Sequence, residues 1–564
     1  MIKGTGQPIG KDSTYAKTIA NFEATLNKVG IKIVIEKWNN PVKNVWSVLI
    51  RDRLRKGFFS NGKGTIKEQA YASALGEFCE RLCTGFYFYN QVIDLDDKSA
   101  LKLPFILHPN ELWADSKTKI SDKQFHPLVR ELGLKNIKGL QEKSLIGREE
   151  KILALPYIRE EDSKTFYLPM SVITNLYMSN GHAAGNTIME AKVQALSEVF
   201  ERAIKKRIIK ERIALPEIPD RFLRKFPRIW EGICALKKAG YGLYIFDASL
   251  GGTYPLANMV LIDPQGKGVY TSYGAHPSME VAIERTLTEL LQGRVLKEAT
   301  FFTMPIEDHG HISSEENWFE HFVDSSGKIA WSSILNKSEY NFTPWGVDGR
   351  DRQKEWDYLV NIALNQDLEI LVSEYSFHGM NACHIIVPKF SEIYPLSEVA
   401  ENNSNRSRKY YHWLKKISKA GRLTGKDALA LLNYIERKDF LPDQLAIEDL
   451  IGNMQKVDFK EVTVLVVRLL LYLQLKKYKK ISTILDEMRF RHDLNEWERS
   501  LLVYCELKIL KGTAFKRVKD FYQHSISLSF LKYFMRPSRF FIDLGKIYIE
   551  GNTILLPLLA KRNL

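Results

Sequence analysis

A short acidic motif occurs twice in the chain, as ALGEFCER at Ala74–Arg81 and ALSEVFER at Ala195–Arg202, 121 residues apart. In register, Arg81 falls on Arg202, Glu80 on Glu201, Glu77 on Glu198, Leu75 on Leu196 and Ala70 on Ala191. A weaker third copy follows 91 residues later, where Ala282, Arg285, Leu287 and Glu289 fall on Ala191, Gln194, Leu196 and Glu198. At about 100° per residue, Ser73, Glu77, Glu80 and Arg81 share one helical face, and Glu190, Gln194, Glu198 and Glu201 share another, with Arg202 beside it. The backs of these helices carry Leu75, Phe78, Leu82, Val193, Leu196 and Phe200. Burying those backs turns two acidic faces either to water or toward a common cleft.

The second orientation is the one the sequence favours. Carboxylates at this spacing repel mildly even when exposed, and a solvated face would intersperse lysines among them. Here the basic residues accumulate only after Arg202, as Lys205, Lys206 and Arg207. Carboxylates crowded in a cleft need raised pKa values or a divalent cation between them. Magnesium suits oxygen ligands and commonly joins carboxylates to substrate phosphates, whereas no His/Cys constellation accompanies them for zinc. Arg81, Arg202 and Arg285 add planar donors for phosphate or neighbouring carboxylates. The loops SNGKG at Ser60–Gly64 and SNGHAAGN at Ser179–Asn186 directly precede the first two motif helices. Their glycines let backbone N–H groups approach an anion, although neither loop matches a phosphate-loop or dinucleotide pattern. Lys63 reads as a surface lysine or an electrostatic helper, and His182 and His276 as structural residues.

The chain is long enough for more than one domain, with 564 residues, 45% of them hydrophobic. Up to about residue 400, segments such as NVWSVLIRD, YLPMSVITN, YGLYIFDA, ANMVLID and CHIIVP predict strands. Between them, Ile66–Tyr89, Ile188–Ile213 and Met279–Leu291 predict helices. Beyond about Tyr410 the strand signal fades, and DALALLNYIERKDF, TVLVVRLLLYLQL and ERSLLVYCELKIL show helical spacing suggestive of stacked hairpins. The expected architecture is α+β: a catalytic body of sheets with packed helices over 1–400, then an all-α, helical-repeat-like domain over 401–564. Charge divides at the same boundary. Residues 401–564 hold 31 Lys plus Arg against 18 Asp plus Glu, whereas 1–400 hold 50 against 49. A basic region with the clusters LKKYKK and AFKRVK suits an acidic or nucleic-acid-bearing partner, or is simply solvated. The five scattered cysteines form no four-thiolate site. The opening residues lack a signal-peptide apolar run, and EVTVLVVRLLLYLQL is too short to span a membrane; cytoplasm is the expected location.

These motifs resemble those of the YcaO superfamily, whose members bind ATP with glutamate-coordinated magnesium. The family pattern SxxGxxER stands here as Ser73, Gly76, Glu77, Glu80 and Arg81, ExxxQxxxExxER as Glu190, Gln194, Glu198, Glu201 and Arg202, and RxxxE as Arg285 and Glu289. The likeness extends over roughly residues 10–395, and is to the enterobacterial branch that carries a tetratricopeptide-like C-terminal domain. It implies magnesium coordination, direct or one shell out, by Glu77, Glu80, Glu190, Glu198, Glu201 and Glu289. It further implies nucleotide contacts by Lys11, Thr18, Ser73, Arg81, Asn186, Gln194, Arg202 and Arg285, with Glu198, Arg202 and Arg285 closest to the chemistry. In that superfamily ATP phosphorylates a peptide amide oxygen, and a nucleophile then adds to the carbon. Relatives of this branch are linked, as accessories to a radical methylthiotransferase, to β-methylthiolation of an aspartate in a small-subunit ribosomal protein. The chain has no CxxxCxxC cluster for that radical step. It ends LLPLLAKRNL where azoline-forming relatives end PxPxP, which makes heterocycle formation less expected. An ATP-regulated adaptor without catalysis and a magnesium-dependent ligase acting through an acyl phosphate are the alternatives. Direct nucleic-acid binding and a homodimer both stay open.

Overall fold

The computed structural model describes residues 7–89, 91, 93–96, 98–140, 145–146, 150–294, 296, 301–396, 399, 405–436, 459, 462–489, 494–510 and 528–562. The chain forms two compact units: Met1–Tyr87 with Phe105–Leu140 and Leu153–Glu401, and Phe88–Pro104 with Gln141–Ile152 and Asn402–Leu564.

In the first unit, each of the three motif helices follows directly on a strand. Phe59–Gly64 precedes Lys67–Cys83, His182–Gly185 precedes Ile188–Glu211, and Val269–Ala275 precedes Met279–Leu290. The strands belong to three different sheets. The first is a three-stranded antiparallel sheet of Ile33–Val42, Val45–Asp52 and Phe59–Gly64. The second has six strands, with the hairpin Leu371–Phe377 and Met380–Ile386 next to His182–Gly185. The third is again three-stranded, of Gly242–Asp247, Leu256–Ile262 and Val269–Ala275. The first helix lies against the first and second sheets, the second helix against the second and third, and the third helix against the third and first. Sheets and helices thus alternate in a closed cycle.

The aligned alanines explain how each strand and helix fit. A Cβ on Gly62 would stand 2.0 Å from the Ala70 carbonyl oxygen, one on Gly185 2.7 Å from the Ala191 nitrogen, and one on Gly274 2.7 Å from the Ala282 carbonyl oxygen. No Cβ fits at those separations from helix backbone, so glycine on the strand is a steric requirement; the facing alanines are fully buried. The predicted apolar backs are the core: Leu75, Phe78, Leu82, Val193, Leu196 and Phe200 are all at most 2% exposed.

Most strand expectations are matched, as in Val45–Asp52, Gly242–Asp247, Leu256–Ile262 and Met380–Ile386. YLPMSVITN is corrected: the strand stops at Pro169 and Met170–Leu176 is a helix. Pro169 has φ −56°, which cannot continue an interior sheet ladder but suits a helix entry.

Among its described residues, the second unit is almost entirely helical. Asn405–Ala420, Gly425–Ile435, Val464–Gln474, Tyr478–Met488, Glu496–Tyr504, Leu528–Met535 and Pro537–Arg562 are helices, and its one pair of strands is the short parallel Ile93–Asp94 with Leu145–Ile146. Val464–Gln474 is buried on nearly every side, as its unbroken apolar sequence requires. Around Trp497, the rings of Phe459, Phe530, Tyr533, Phe534 and Phe540 form an aromatic core. The helix that carries Trp497, Glu496–Tyr504, is fixed at its start by a capping box of Asn495 and Glu498, and Thr463 donates to Glu498 (2.7 Å). Lys415 pairs with the buried Asp94. Lys476, Lys477, Lys479 and Lys480 of the LKKYKK cluster are exposed; AFKRVK lies outside the described residues.

Candidate active site

The three helices wall a cavity of about 780 Å³ in the first unit, within the range of about 300–1,000 Å³ usual for ligand sites. Every residue assigned to the site from sequence lines it: Lys11, Thr18, Ser73, Glu77, Glu80, Arg81, Asn186, Glu190, Gln194, Glu198, Glu201, Arg202, Arg285 and Glu289.

At one end the N-terminal segment is fastened to the second motif helix. Glu190, 4% exposed, takes the Lys11 ammonium (3.2 Å) and the Asp12 backbone N–H (2.9 Å), and Asn186 Nδ2 donates to it (3.0 Å). Burial alone would push this carboxyl up, but Lys11, Asn186 and the Asp12 N–H outweigh it and hold the pKa below its ordinary value. Thr18 donates to Asn186 Oδ1 (2.9 Å) and Thr187 to Asp12 (2.5 Å). Both Glu190 oxygens are therefore engaged by protein donors, and its visible work is to anchor residues 11–12 over the cavity. Ile9, Tyr15, Phe22 and Val281 line the same end, an aliphatic and aromatic surface suited to a flat heterocycle.

The centre is a lattice of carboxylates and cations. Glu77 pairs with Arg81 and Glu198 with Arg202 (2.9 Å), each one turn apart on its own helix. Arg285 donates to Gln194 (2.7 Å), joining the third helix to the second. The Ala275 N–H donates to Glu201 (3.2 Å), and Lys63 reaches Glu289. Lys63 is thus an electrostatic partner rather than a surface lysine. Burial and then Arg285 pull its pKa down to about 8. Burial, then Glu198 and Glu77, push Glu80 well above the carboxylate range; burial chiefly raises Glu198 also. By count, five carboxylates there, Glu77, Glu80, Glu198, Glu201 and Glu289, face four cations, Arg81, Arg202, Arg285 and Lys63.

That imbalance is the basis for testing magnesium and a triphosphate here. An oxygen-only donor set under mutual repulsion fits a hard divalent cation, and Arg81, Arg202, Arg285 and Lys63 fit phosphate oxygens. Among the described residues no three carboxylate, histidine or cysteine side chains converge tightly enough to hold an ion in this arrangement. Glu77 and Glu198 each give only Oε1 to their arginines, so a metal would be taken through the other oxygen or in exchange for the guanidinium.

Lys205 is a lining residue that no motif singled out: it is buried, at 8% exposure, and faces the cavity. Fifteen residues after Glu190 at about 100° per residue returns to the same helical face, so the signal was in the spacing. Arg294, Tyr270, Tyr273, Gln69 and Glu284 also line the cavity and carry no motif that would single them out. His182 and His276 are buried, as expected of structural residues; His276 also lines the cavity and accepts from the Ser278 N–H (2.9 Å), with burial pulling its pKa well down.

Three strand–helix units around a carboxylate and guanidinium cavity define an ATP- and magnesium-binding catalytic body. The family described as YcaO cyclodehydratase, ATP- and Mg2+-binding, matches residues 61–391, and the chain belongs to that family. It is 41% identical over 407 residues to a protein of Haemophilus influenzae, covering 70% of this chain and 68% of that protein. Against the Escherichia coli protein named ribosomal protein S12 methylthiotransferase accessory factor YcaO, it is 41% identical over 406 residues, with 70% and 68% covered. Among solved structures, a heterocyclase in complex with substrate and cofactor matches with TM-score 0.44 and 18% identity over 68% of this chain; the match spans only about half, 53%, of the heterocyclase. YcaO from Methanopyrus kandleri bound with AMPPCP and Mg2+ gives TM-score 0.40 and 16% identity, covering 67% of this chain and 91% of that one.

Proposed function

We propose that the protein uses ATP to phosphorylate the oxygen of a peptide or protein backbone amide, as an accessory factor in post-translational modification. The observation that carries this reading is the convergence of Glu77, Glu80, Glu198, Glu201 and Glu289 with Arg81, Arg202 and Arg285 on one cavity. Magnesium bound there would offset charge on the phosphates, held by the glutamates of the three helices. The chain's own part is positional. Arg202 and Arg285 stand where charge moves onto the transferring group, Gln194 orients Arg285, and Glu190 holds Lys11 against the nucleotide end. In the overall reaction the amide oxygen takes the γ-phosphoryl group from ATP and ADP leaves. A nucleophile then adds to the amide carbon, and phosphate departs with the former amide oxygen.

The E. coli relative's name supports ribosomal protein β-methylthiolation as the pathway served, with a radical methylthiotransferase as the partner that performs the sulfur chemistry. Residues 1–400 would act as the catalytic domain. Residues 401–564, basic and tetratricopeptide-like, would dock the partner in the cytoplasm; among the described residues no helix is long and apolar enough to cross a membrane. The test is Glu198→Gln against wild type, assayed for MgATP binding, ATP hydrolysis and modification of the candidate ribosomal protein. Loss of modification with partner docking intact supports catalysis. Unchanged modification refutes it.

A further inference from the structure

The second motif helix presents its cavity-lining face from Glu190 to Lys205, a rise of about 22 Å at about 1.5 Å per residue. Aliphatic and aromatic groups line the Glu190 end and the carboxylate lattice occupies the middle, which leaves a further stretch beyond Glu201 and Arg202. This stretch is framed by Lys205, Arg294, Tyr270, Tyr273 and the segment His321–Ser325.

Most cations elsewhere on the wall have acidic partners. Lys11, Lys63, Arg81 and Arg202 each pair with a glutamate, and Arg285 donates to Gln194. Lys205 has neutral partners: its ammonium donates to the His321 carbonyl (2.8 Å) and to Ser325 Oγ (2.9 Å). Arg294 donates to the carbonyls of Asp324 (2.7 Å) and Gln292 (3.4 Å), and lies over the Tyr270 ring at 4.2 Å. The one acidic residue of the segment, Asp324, uses Oδ1 to accept from the Ser326 N–H (2.9 Å). No carboxylate contacts the Lys205 ammonium directly, Glu201 and Asp324 acting on it only at longer range, and two cations share this end of one cavity.

The geometry points to a second anion subsite, formed by Lys205 and Arg294 beyond the carboxylate lattice, that takes an oxyanion of the reaction other than the nucleotide's own phosphates. It rests on the nucleotide reading of the same cavity. The shared chemistry is a phosphate or carboxylate oxygen, supplied either by the phosphate released in the reaction or by an acidic group of the acceptor peptide. Tyr270 and Tyr273 give that end aromatic walls against which a peptide side chain or backbone can lie.

The full chain, saturated with Mg2+ and ADP, is titrated calorimetrically with inorganic phosphate and separately with N-acetyl-aspartate. The subsite is supported if either anion binds wild type and binds Lys205→Met and Arg294→Met at least about tenfold more weakly, with Lys205→Arg recovering most of the loss. Phosphate binding alone identifies the released phosphate as the source; N-acetyl-aspartate binding that competes with phosphate identifies an acidic acceptor. Arg294 is partly exposed, so its variant decides the matter if Lys205→Met fails to fold. Anion affinities equal to wild type in the variants, or no binding to wild type, overturn the subsite while MgATP binding by wild type leaves the nucleotide reading standing. Failure of wild type to bind MgATP overturns the nucleotide reading and the subsite with it.

Discussion

Replacing Lys11 by methionine removes the only cation on the buried Glu190 carboxylate among the described residues. Its effect can be sized from the geometry. At 3.2 Å, two unit charges interact by about 5 kcal/mol at an effective dielectric of 20 and about 1.3 kcal/mol in water. Lys11 is 38% exposed whereas Glu190 is 4% exposed, so screening reduces the first figure and about 2–3 kcal/mol is expected. The Asp12 N–H donates straight to Glu190, which makes hydrogen exchange of that amide the direct assay. Its protection should fall about 30- to 150-fold in Lys11→Met, since about 1.36 kcal/mol is one decade. In Glu190→Gln the same lysine substitution should have little further effect. A double-mutant coupling below about 0.5 kcal/mol would show that the pair does not hold the segment, and that Lys11 is placed by other contacts.

Two further outcomes follow from the packing. Glu355, fully buried beside Arg352, has its pKa raised from 4.5 to about 7 by burial. Between those values the folded state binds more protons than the unfolded, so stability drops as pH rises through that window; wild type should lose about 3 kcal/mol relative to Glu355→Gln between pH 4.5 and 7, and parallel stability–pH curves would refute this. Gly274→Ala places a Cβ 2.6 Å from Thr286 Oγ1 and 2.7 Å from both the Ala282 oxygen and the Thr286 nitrogen; a destabilisation of about 1–3 kcal/mol is expected, read as a lowered Tm, and an unchanged Tm would contradict the steric account of the glycine–alanine contacts.

The repeat made the centre of the fold legible from sequence, because its two constraints are both local. Carboxylates at i and i+3, Glu77 with Glu80 and Glu198 with Glu201, specify a helical face, and an alanine two turns before Glu77, Glu198 and Glu289 marks where a strand glycine comes close. Ala70, Ala191 and Ala282 satisfy that contact in all three units, including the third, where only Arg285 and Glu289 retain the charged pattern. Less legible was anything that depends on which surface lies opposite. Lys205 shares the face of Glu190 but looks like its basic neighbours Lys206 and Arg207; only the segment His321–Ser325, over a hundred residues away in sequence, shows that it is buried. Likewise, the ion pairs Lys63–Glu289 and Lys11–Glu190 join residues whose proximity depends on how three sheets and their helices interlock. YLPMSVITN reads as a continuous strand because Val172, Ile173 and Thr174 are β-branched, yet Pro169 divides it; that local signal was present in the sequence.

The central claim is that carboxylates from separate helices hold metal-bound triphosphate together. Mn2+ in place of Mg2+, titrated with ATP and followed by electron paramagnetic resonance, tests it in wild type and in Glu80→Gln, Glu198→Gln and Glu289→Gln. An ATP-dependent Mn2+ site in wild type, weakened at least about tenfold by each substitution, is the expected result. Mn2+–ATP binding that is unaltered in all three variants would contradict it.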